Sequence, residues 1–192
     1  MAWLIVVLGY ILGSIPTAYI AGRLLKHGDI REMGDGNVGA RNAYHELGHK
    51  TGVVVFFLDV TKGALPIIIA QAAALSQTAV LMTGLATVVG HNWPIFIRFR
   101  GGRGEATAIG VLLALITQPM LILAGPVIAT LLIKKNVIIA SCVLFIPLPL
   151  VCWWLGVPGV LVSYSIALPC VVGITHYLRT RRVSTASGAG SA

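Results

Sequence analysis

Two short segments, each rich in glycine and basic residues, carry most of the chemistry that this sequence could perform. The first reads Gly34-Asp35-Gly36-Asn37-Val38-Gly39-Ala40-Arg41-Asn42. Its small residues let the backbone turn sharply and point N–H groups inward, and a helix beginning near Asn42 would add the positive end of its dipole. The segment therefore predicts a phosphate-binding site, with a flexible connector as the alternative.

The second segment reads Arg98-Phe99-Arg100-Gly101-Gly102-Arg103-Gly104-Glu105-Ala106-Thr107. Arginine presents a planar fork of donors that suits phosphate, and the segment ends where an apolar helix is expected to begin. The alternative is a basic anchor that only orients the chain in a membrane. Orientation requires neither the glycines nor a helix N-terminus, so a second phosphate site is favoured.

Four further ionisable residues lie within or beside apolar runs. His91 precedes the second segment, and His176 opens the basic tail. Asp59 and Lys62 are three residues apart and therefore share one face of a helix. Ionisable groups at membrane depth are rare and often functional. Each also has a structural alternative: a hydrogen-bonded histidine, a mutually satisfied buried pair, or a tail attracted to the membrane surface.

The elements that position these residues must be membrane helices. The chain has 192 residues, of which 57% are hydrophobic and 10% charged, with a mean hydropathy of +0.90. A globule of this size has too much surface to hide that apolar content, so lipid must cover it. The net charge of +8 lies in short connections without interleaved aromatic residues, which disfavours nucleic-acid binding.

Apolar runs predict seven transmembrane helices, at about 2–22, 53–75, 78–97, 106–117, 120–133, 137–155 and 158–176. The run 106–133 is divided in two because prolines interrupt it. With the N-terminus outside, 13 of the 14 Lys and Arg residues fall in inner connections, at 23–52, 98–105, 134–136 and the C-terminus. Fusing 106–133 into one helix would place Lys134-Lys135 opposite the basic tail, against the positive-inside rule.

The predicted fold is thus an all-α integral membrane protein with its N-terminus outside and its C-terminus cytoplasmic. Residues 1–183 are expected to form a single membrane domain with cytoplasmic loops at 23–52 and 98–105. A disordered tail is expected at 184–192 because that stretch is rich in Ser, Gly and Ala.

Several motifs, each weak alone, occur together in one order and spacing. They are Gly13-Ser14-Ile15-Pro16, Asp29-Ile30-Arg31, Gly34-x-Gly36-Asn37-Val38-Gly39-Ala40-x-Asn42, Leu58-Asp59-x-x-Lys62-Gly63, Gly90-His91-x-x-Pro94 and Phe99-x-Gly101-Gly102-x-Gly104-x-Ala106-Thr107. Taken together, they resemble the bacterial acyl-phosphate:glycerol-3-phosphate acyltransferases (PlsY). The likeness covers most of the chain, and the seven-span architecture of that family agrees with the count from charge.

The resemblance implies transfer of a fatty acyl group from acyl phosphate to the sn-1 hydroxyl of glycerol 3-phosphate, giving lysophosphatidic acid and phosphate. It implies no metal and no cofactor, and it implies glycerol 3-phosphate, acyl phosphate and membrane lipid as partners. The site would face the cytoplasm at the bacterial inner membrane. Acyl phosphate is already activated, so positioning and charge stabilisation could suffice without a protein nucleophile.

By the same resemblance, the catalytic residues would be Asn37, His91, Arg103 and His176. The phosphate-binding residues would be Gly34, Gly36, Gly39, Arg41, Asn42, His45, Gly101, Gly102, Gly104 and Thr107. Supporting residues would be Ser14, Asp59 and Lys62. No general base is evident, and a substrate phosphate oxygen is one hypothesis for the proton acceptor.

The sequence departs from the family pattern at several positions. Asp35, Arg41, His45 and Arg103 stand where the family usually has Ser, Thr, Arg and Lys, and the C-terminal motif reads His176-Tyr177-Leu178-Arg179 rather than H-R-x-N. Asp35 would disfavour an anion unless Arg41 or Arg31 pairs with it. Two alternatives stay open: a diverged member that binds these ligands or acylates another acceptor, and an organic-phosphate transporter.

Overall fold

The computed structural model describes residues 1–26 and 28–188, with side chains described through residue 180. These residues form helices and no strand. The helices are α1 (Ala2–Gly13), α2 (Thr17–Lys26), α3 (Ala40–Glu46), α4 (His49–Ala72), α5 (Gln77–Asn92), α6 (Glu105–Leu115), α7 (Thr117–Lys134), α8 (Val137–Phe145), α9 (Leu148–Trp154) and α10 (Gly159–Gly188), with short 3₁₀ turns at Ile30–Glu32 and Ile95–Ile97.

Six helical stretches are long and apolar enough to cross a membrane. They are Ala2–Lys26, His49–Ala72, Gln77–Ile97, Thr117–Lys134, Val137–Trp154 and Gly159–Thr180, and α6 is a shorter apolar helix. Their outer faces expose large apolar side chains, among them Leu132 and Trp153, which are 72% exposed. Such surfaces are stable only against lipid.

The expected division of 106–133 into two helices is confirmed, and Pro119 lies just after the break, where in a continuous helix its ring would clash with the Leu115 carbonyl, whereas Pro126 does not interrupt α7. The helices separate at Ile116, whose φ and ψ are −135° and 58°. Pro119 lies in the first turn of α7, where a backbone N–H has no partner within the helix, and Pro126 is accommodated inside α7.

Two expected non-helical stretches are largely helical. The loop expected at 23–52 contains the end of α2, all of α3 and the start of α4. The tail expected at 184–192 continues α10 as far as Gly188, and the remaining residues lie outside the described part of the chain. Helix continues past the apolar run because its ends can leave the membrane while their backbone hydrogen bonds persist.

Close packing between small residues holds the central helices together. A Cβ on Gly13 would overlap the backbone of Thr87, which joins α1 to α5. A Cβ on Gly63 would overlap the carbonyl of Thr107, which joins α4 to α6. Backbones approach this closely in membranes because association there depends on van der Waals packing rather than on the hydrophobic effect. The resulting rigid group fixes the ends of α4, α5 and α6, where the basic segments lie.

Candidate active site

The first segment, residues 33–42, is organised by the side chain of Asn42. Its Nδ2 lies 3.2, 2.9 and 3.1 Å from the carbonyl oxygens of Ile30, Met33 and Asn37, to which it donates, and its Oδ1 accepts from the Asp35 N–H at 3.2 Å. Asn42 is 3% exposed. The residue expected to bind phosphate therefore shapes the segment from beneath and does not line the cleft described below.

Two glycines give the first segment its turn. Gly34 and Gly36 have φ of 56° and 67°, in the left-handed region that other residues avoid. The chain then enters α3 at Ala40, with Gly39 at the N-cap position. The helix thus begins two residues earlier than expected, which brings Arg41 into its first turn.

The second segment, residues 98–104, is folded against the end of α5. The N–H groups of Gly101 and Gly102 donate to the carbonyl oxygens of Asn92 and His91 at 3.3 and 3.1 Å. From α10, the guanidinium of Arg179 donates to the carbonyl oxygens of both Gly101 and Asn92. This segment is therefore held both by the nearby end of α5 and, through Arg179, by a helix 78 residues further along the chain.

The two segments meet. The Nη2 atom of Arg103 lies 2.9 Å from Oδ2 of Asp35, and Gly102 packs so closely on the first segment that a Cβ there would lie 2.6 Å from the carbonyl oxygen of Val38. A cation pairs with Asp35, as expected for a carboxylate beside a predicted anion site. The partner is neither of the two expected residues, Arg41 and Arg31. Arg103 is the partner found within 4 Å, and Arg31 pairs with Asp29 instead.

A cleft of about 100 Å³ lies where the segments converge. Its lining residues are Asn37, Gly39, Ala40, Arg41, Phe56, Asp59, His91, Arg103, Gly104, Glu105, Ala106, Val137, Ile138 and His176. All four residues expected to be catalytic are in this set. The lining combines two arginines, backbone at a helix start and an apolar side formed by α4 and α8, so it suits a ligand with an anionic group and an apolar chain.

Other expected site residues lie away from the cleft lining. His45 packs edge-on against Tyr44, with ring centroids 5.6 Å apart. Thr107 is fully buried. Gly34, Gly36 and Gly102 act through the backbone as described above. Gly101, Ser14 and Lys62 line a narrower cavity that also includes His91.

A buried polar network stands beneath the cleft. Oδ1 of Asp59 lies 2.7 Å from both Thr17 Oγ1 and Lys62 Nζ, and Lys62 also donates to the Ile15 carbonyl at 2.7 Å. Lys62 thereby supplies a second donor to the Ile15 carbonyl, which also accepts from the Thr17 N–H at 3.1 Å where α1 breaks from α2. The buried pair of Asp59 and Lys62 that the sequence offered as an alternative is thus present in the structure. His91 Nδ1 lies 3.7 Å from Asp59, which is too far for a hydrogen bond.

Three residues at the site escaped the sequence interpretation. Glu105 opens α6, lines the cleft and accepts a hydrogen bond from the Ser141 hydroxyl of α8. In the sequence, Glu105 could have been noticed as a carboxylate between two stretches of small residues. Ser141 gave none, because it is one hydroxyl within an apolar helix. Arg179 was visible only as part of a basic tail.

Before the first segment, an ion pair stabilises the turn at Ile30–Glu32. Arg31 Nη2 lies 2.6 Å from Asp29 Oδ2, and Asp29 Oδ1 also caps the turn by accepting from the Arg31 N–H at 3.0 Å. The side-chain hydrogen bonds from Arg31 lower the pKa of Asp29 below its usual value, and the same contacts raise the pKa of Arg31. The pair is therefore fully charged at neutral pH.

Metal-ligand geometry is not part of this cleft. Within the described ranges, no group of three or more His, Cys, Asp or Glu side chains is arranged to hold a metal ion.

The fold and the cleft define a helical membrane protein with a basic, glycine-lined cleft. The sequence profile of the glycerol-3-phosphate acyltransferase family matches residues 3–186. The chain belongs to this family, and it is an all-α, multi-pass integral membrane protein.

Individual relatives agree with this assignment. The chain is 53% identical to glycerol-3-phosphate acyltransferase 4 of Dehalococcoides mccartyi, over 95% of this chain and 98% of the relative. It is 35% identical to a glycerol-3-phosphate acyltransferase of Synechococcus sp., over 94% and 90% of the two chains. Crystal structures of PlsY (YgiH), an integral membrane glycerol 3-phosphate acyltransferase, are similar with a TM-score of 0.81 and 34% identity, covering 96% of this chain and 92% of theirs. They are the glycerol 3-phosphate and lysophosphatidic acid forms.

Proposed function

We propose that this protein transfers a fatty acyl group from acyl phosphate to the sn-1 hydroxyl of glycerol 3-phosphate, producing lysophosphatidic acid and phosphate. The observation that carries the proposal is the convergence of the two glycine-rich segments on one cleft containing Arg41 and Arg103. Relatives that span the whole chain are named glycerol-3-phosphate acyltransferases, which supports the same activity.

The cleft offers one donor, Arg103 Nε, that a phosphate oxygen would satisfy, and one acceptor, Asn37 Oδ1, that a substrate hydroxyl would satisfy. Arg103 Nε and Asn37 Oδ1 are buried and have no partner among the described residues. Buried polar groups normally find partners, so orphaned ones in a cleft mark a place for a ligand or water. Arg41 and Arg103 supply charge for two phosphorylated substrates, and Gly39 and Gly104 allow the backbone to approach them.

Catalysis in this proposal depends on position and charge. Arg103 stabilises the negative charge that grows on the leaving phosphate, and Asn37 hydrogen-bonds the reacting groups. His91 supports the second segment, and His176 closes the cleft from α10. Apolar Phe56, Val137 and Ile138 receive the start of the acyl chain, which continues into lipid.

The proposed topology has seven crossings, with α6 as the seventh, in a single domain at residues 1–183. The N-terminus is outside, and the cleft faces the cytoplasm at the bacterial inner membrane. Support comes from the 13 of 14 Lys and Arg residues that fall in the connections assigned to the inner side. With 11 residues, α6 is only about 16 Å long. In this topology it therefore crosses while packed behind α4 and α10, which separate it from lipid.

Maleimide labelling of Lys50→Cys and Ser76→Cys, in a variant without native cysteines, tests which side of the membrane each residue faces. Labelling of Lys50→Cys by an impermeant reagent from outside would contradict it.

Purified protein in detergent micelles provides the direct test. Phosphate release from acyl phosphate is expected to require glycerol 3-phosphate and to match the lysophosphatidic acid formed. Arg103→Ala should lower kcat/KM by about 100- to 1000-fold, as loss of a transition-state donor does. Arg100→Ala is the matched control, because Arg100 is exposed in the same segment and does not line the cleft.

Three results would contradict the proposal in different ways. Folded wild-type protein with no transfer would reject it outright. Tight binding of the substrates without product would favour a diverged binding protein. Uptake of organic phosphate by sealed proteoliposomes would favour a transporter.

A further inference from the structure

Asp35 places a negative charge at the rim of the cleft that is proposed to bind phosphate. It is not one of the lining residues, but its Oδ2 atom lies 2.9 Å from Nη2 of Arg103, which does line the cleft. Its Oδ1 atom accepts a hydrogen bond from the Asn37 N–H at 3.1 Å. One carboxylate therefore occupies two donors, a guanidinium of the second segment and a backbone N–H of the first.

These two donors are of the kinds that bind phosphate in proteins. Arginine presents a fork of N–H groups to phosphate oxygens, and backbone N–H groups in turns form concavities that hold anions. A carboxylate offers two anionic oxygens to such donors, as a phosphate group does. Asp35 thus has the position and the charge of an internal substitute for a bound phosphate.

We propose that Asp35 is an internal competitor for the phosphate site: in the free protein its carboxylate occupies the donors of Arg103 and Asn37, and a bound phosphate displaces it. This inference deepens the proposed acyl transfer and rests on the cleft binding the phosphate groups of that reaction. Because only the fraction of protein with Asp35 displaced binds phosphate, the competition lowers the affinity of the cleft. The returning carboxylate favours release of the product phosphate.

The contact between Asp35 and Arg103 is suited to displacement, unlike the pair that precedes the first segment. The side chain of Asp35 is 41% exposed, whereas that of Asp29, which pairs with Arg31, is 10% exposed. An ion pair exposed to solvent contributes little to stability, so a phosphate dianion can replace its carboxylate. The backbone of Asp35 stays in place meanwhile, because its N–H donates to Asn42 Oδ1 at 3.2 Å.

An incoming phosphate finds donors in the cleft before Asp35 leaves. Nε of Arg103 is buried and has no partner among the described residues, and Arg41 lines the same cleft. A phosphate oxygen can bind these donors first and then take Nη2 of Arg103, while the carboxylate turns towards solvent. In this order of events the largely buried guanidinium always has an anion beside it, which avoids the cost of an unpaired charge.

The experiment measures binding of inorganic phosphate to the purified, detergent-solubilised protein by isothermal titration calorimetry at constant ionic strength. Asp35→Asn keeps an oxygen for the Asn37 N–H but removes the charge that faces Arg103. Its dissociation constant for phosphate should fall about 5- to 10-fold, as expected when a closed state that holds most of the free protein is abolished. Inhibition of acyl transfer by phosphate should strengthen by the same factor.

Glu32→Gln is the matched control for the change in net charge. Glu32 is exposed in the 3₁₀ turn before the first segment and does not line the cleft. Solvent and salt screen its charge, so the dissociation constant for phosphate should change less than about twofold. Equal tightening in Asp35→Asn and Glu32→Gln would overturn the inference, because net charge alone would then account for the effect.

Unchanged or weaker phosphate binding in Asp35→Asn would also overturn the inference, because Asp35 would then hold Arg103 in its binding position rather than compete for it. The same conclusion follows if neither wild type nor variant binds phosphate. If Asp35→Asn does not fold, Asp35→Ser carries the test, since a serine hydroxyl can also accept from the N–H two residues on. Tightening of phosphate binding in a protein without acyl transfer would reject the proposed reaction and leave the competition by Asp35 established.

Discussion

The two glycine-rich segments form one cleft but are held in different ways. Asn42 fixes the first segment from within, through four hydrogen bonds to backbone atoms between residues 30 and 37. The second is fixed from outside, by the end of α5 and by Arg179 of α10. Both segments contain positive φ angles, at Gly34 and Gly36 in the first and at Arg98, Phe99 and Gly104 in the second, and in the second Gly101 and Gly102 also allow close contact with His91.

This difference teaches that similar composition can serve opposite structural needs. The first segment is a local structure, because all partners of Asn42 lie within 12 residues of it in sequence. The second depends on helices that must already be packed. Substitutions should therefore damage the first by local loosening and the second by displacing α5 or α10.

The largest effect is expected from Gly102→Ala. The added methyl group would overlap the His91 imidazole and crowd the carbonyl oxygen of Val38, so the two segments must separate. Acyl transfer should fall about 100-fold or more, because misplacement by about 1 Å is sufficient for that loss. Gly125→Ala is the control: its methyl group meets nothing within 4 Å in α7, and transfer should be unchanged. Equal activity of the two variants would show that close contact does not hold the second segment.

Asn42→Ala should have the next largest effect and should act on the first segment alone. Three carbonyl groups and one N–H lose their contact with Asn42, although the Ile30 and Met33 carbonyls keep the N–H groups of Met33 and Gly36, and the change should cost about 1–3 kcal/mol of local stability. Hydrogen exchange measured by mass spectrometry should report lost protection in residues 33–42, with residues 98–104 unaffected. Asn136→Ala removes an exposed helix cap at α8 and should leave both segments protected. If Asn42→Ala loosens both segments, then the first segment is not an independent local structure.

Arg179→Ala tests the outside support of the second segment. Loss of the guanidinium frees the carbonyl oxygen of Gly101 and leaves that of Asn92 with the Gly101 N–H as its donor. We expect acyl transfer to fall about 10-fold, equivalent to about 1.4 kcal/mol. Arg179→Lys should recover only part of the rate, because an ammonium cannot bridge two carbonyls as the guanidinium fork does. Full activity of Arg179→Ala would assign this support to α5 alone.

The smallest effect concerns pH and the turn before the first segment. Because Arg31 lowers the pKa of Asp29, the pair stabilises the folded state above the ordinary Asp pKa, and this is lost as pH falls through the lowered value. The contribution should be on the order of 1 kcal/mol. Hydrogen-exchange protection of residues 28–36 should therefore drop at strongly acidic pH, and Asp29→Asn should remove that drop. A drop that persists in Asp29→Asn would point to another carboxyl group.

Part of the fold and site was readable from local sequence. High apolar content required lipid contact, and the types of residue in the two segments predicted anion binding. The four residues expected to be catalytic all line the cleft. His45 and Asn42 do not, because a motif specifies residue types and not the direction in which each side chain points. The helix break at Ile116 was expected from proline and falls three residues before Pro119, whereas Pro126, which was also expected to interrupt the run, is accommodated inside α7.

What the sequence alone determined is therefore the membrane setting, the approximate helices and the two segments that carry the chemistry. These follow from composition and short-range periodicity, which are local properties. Tertiary structure alone decided that Asp35 pairs with Arg103, that Ser141 meets Glu105, and that Arg179 reaches a carbonyl 87 residues away. Such pairings depend on how whole helices pack, and no local spacing encodes them.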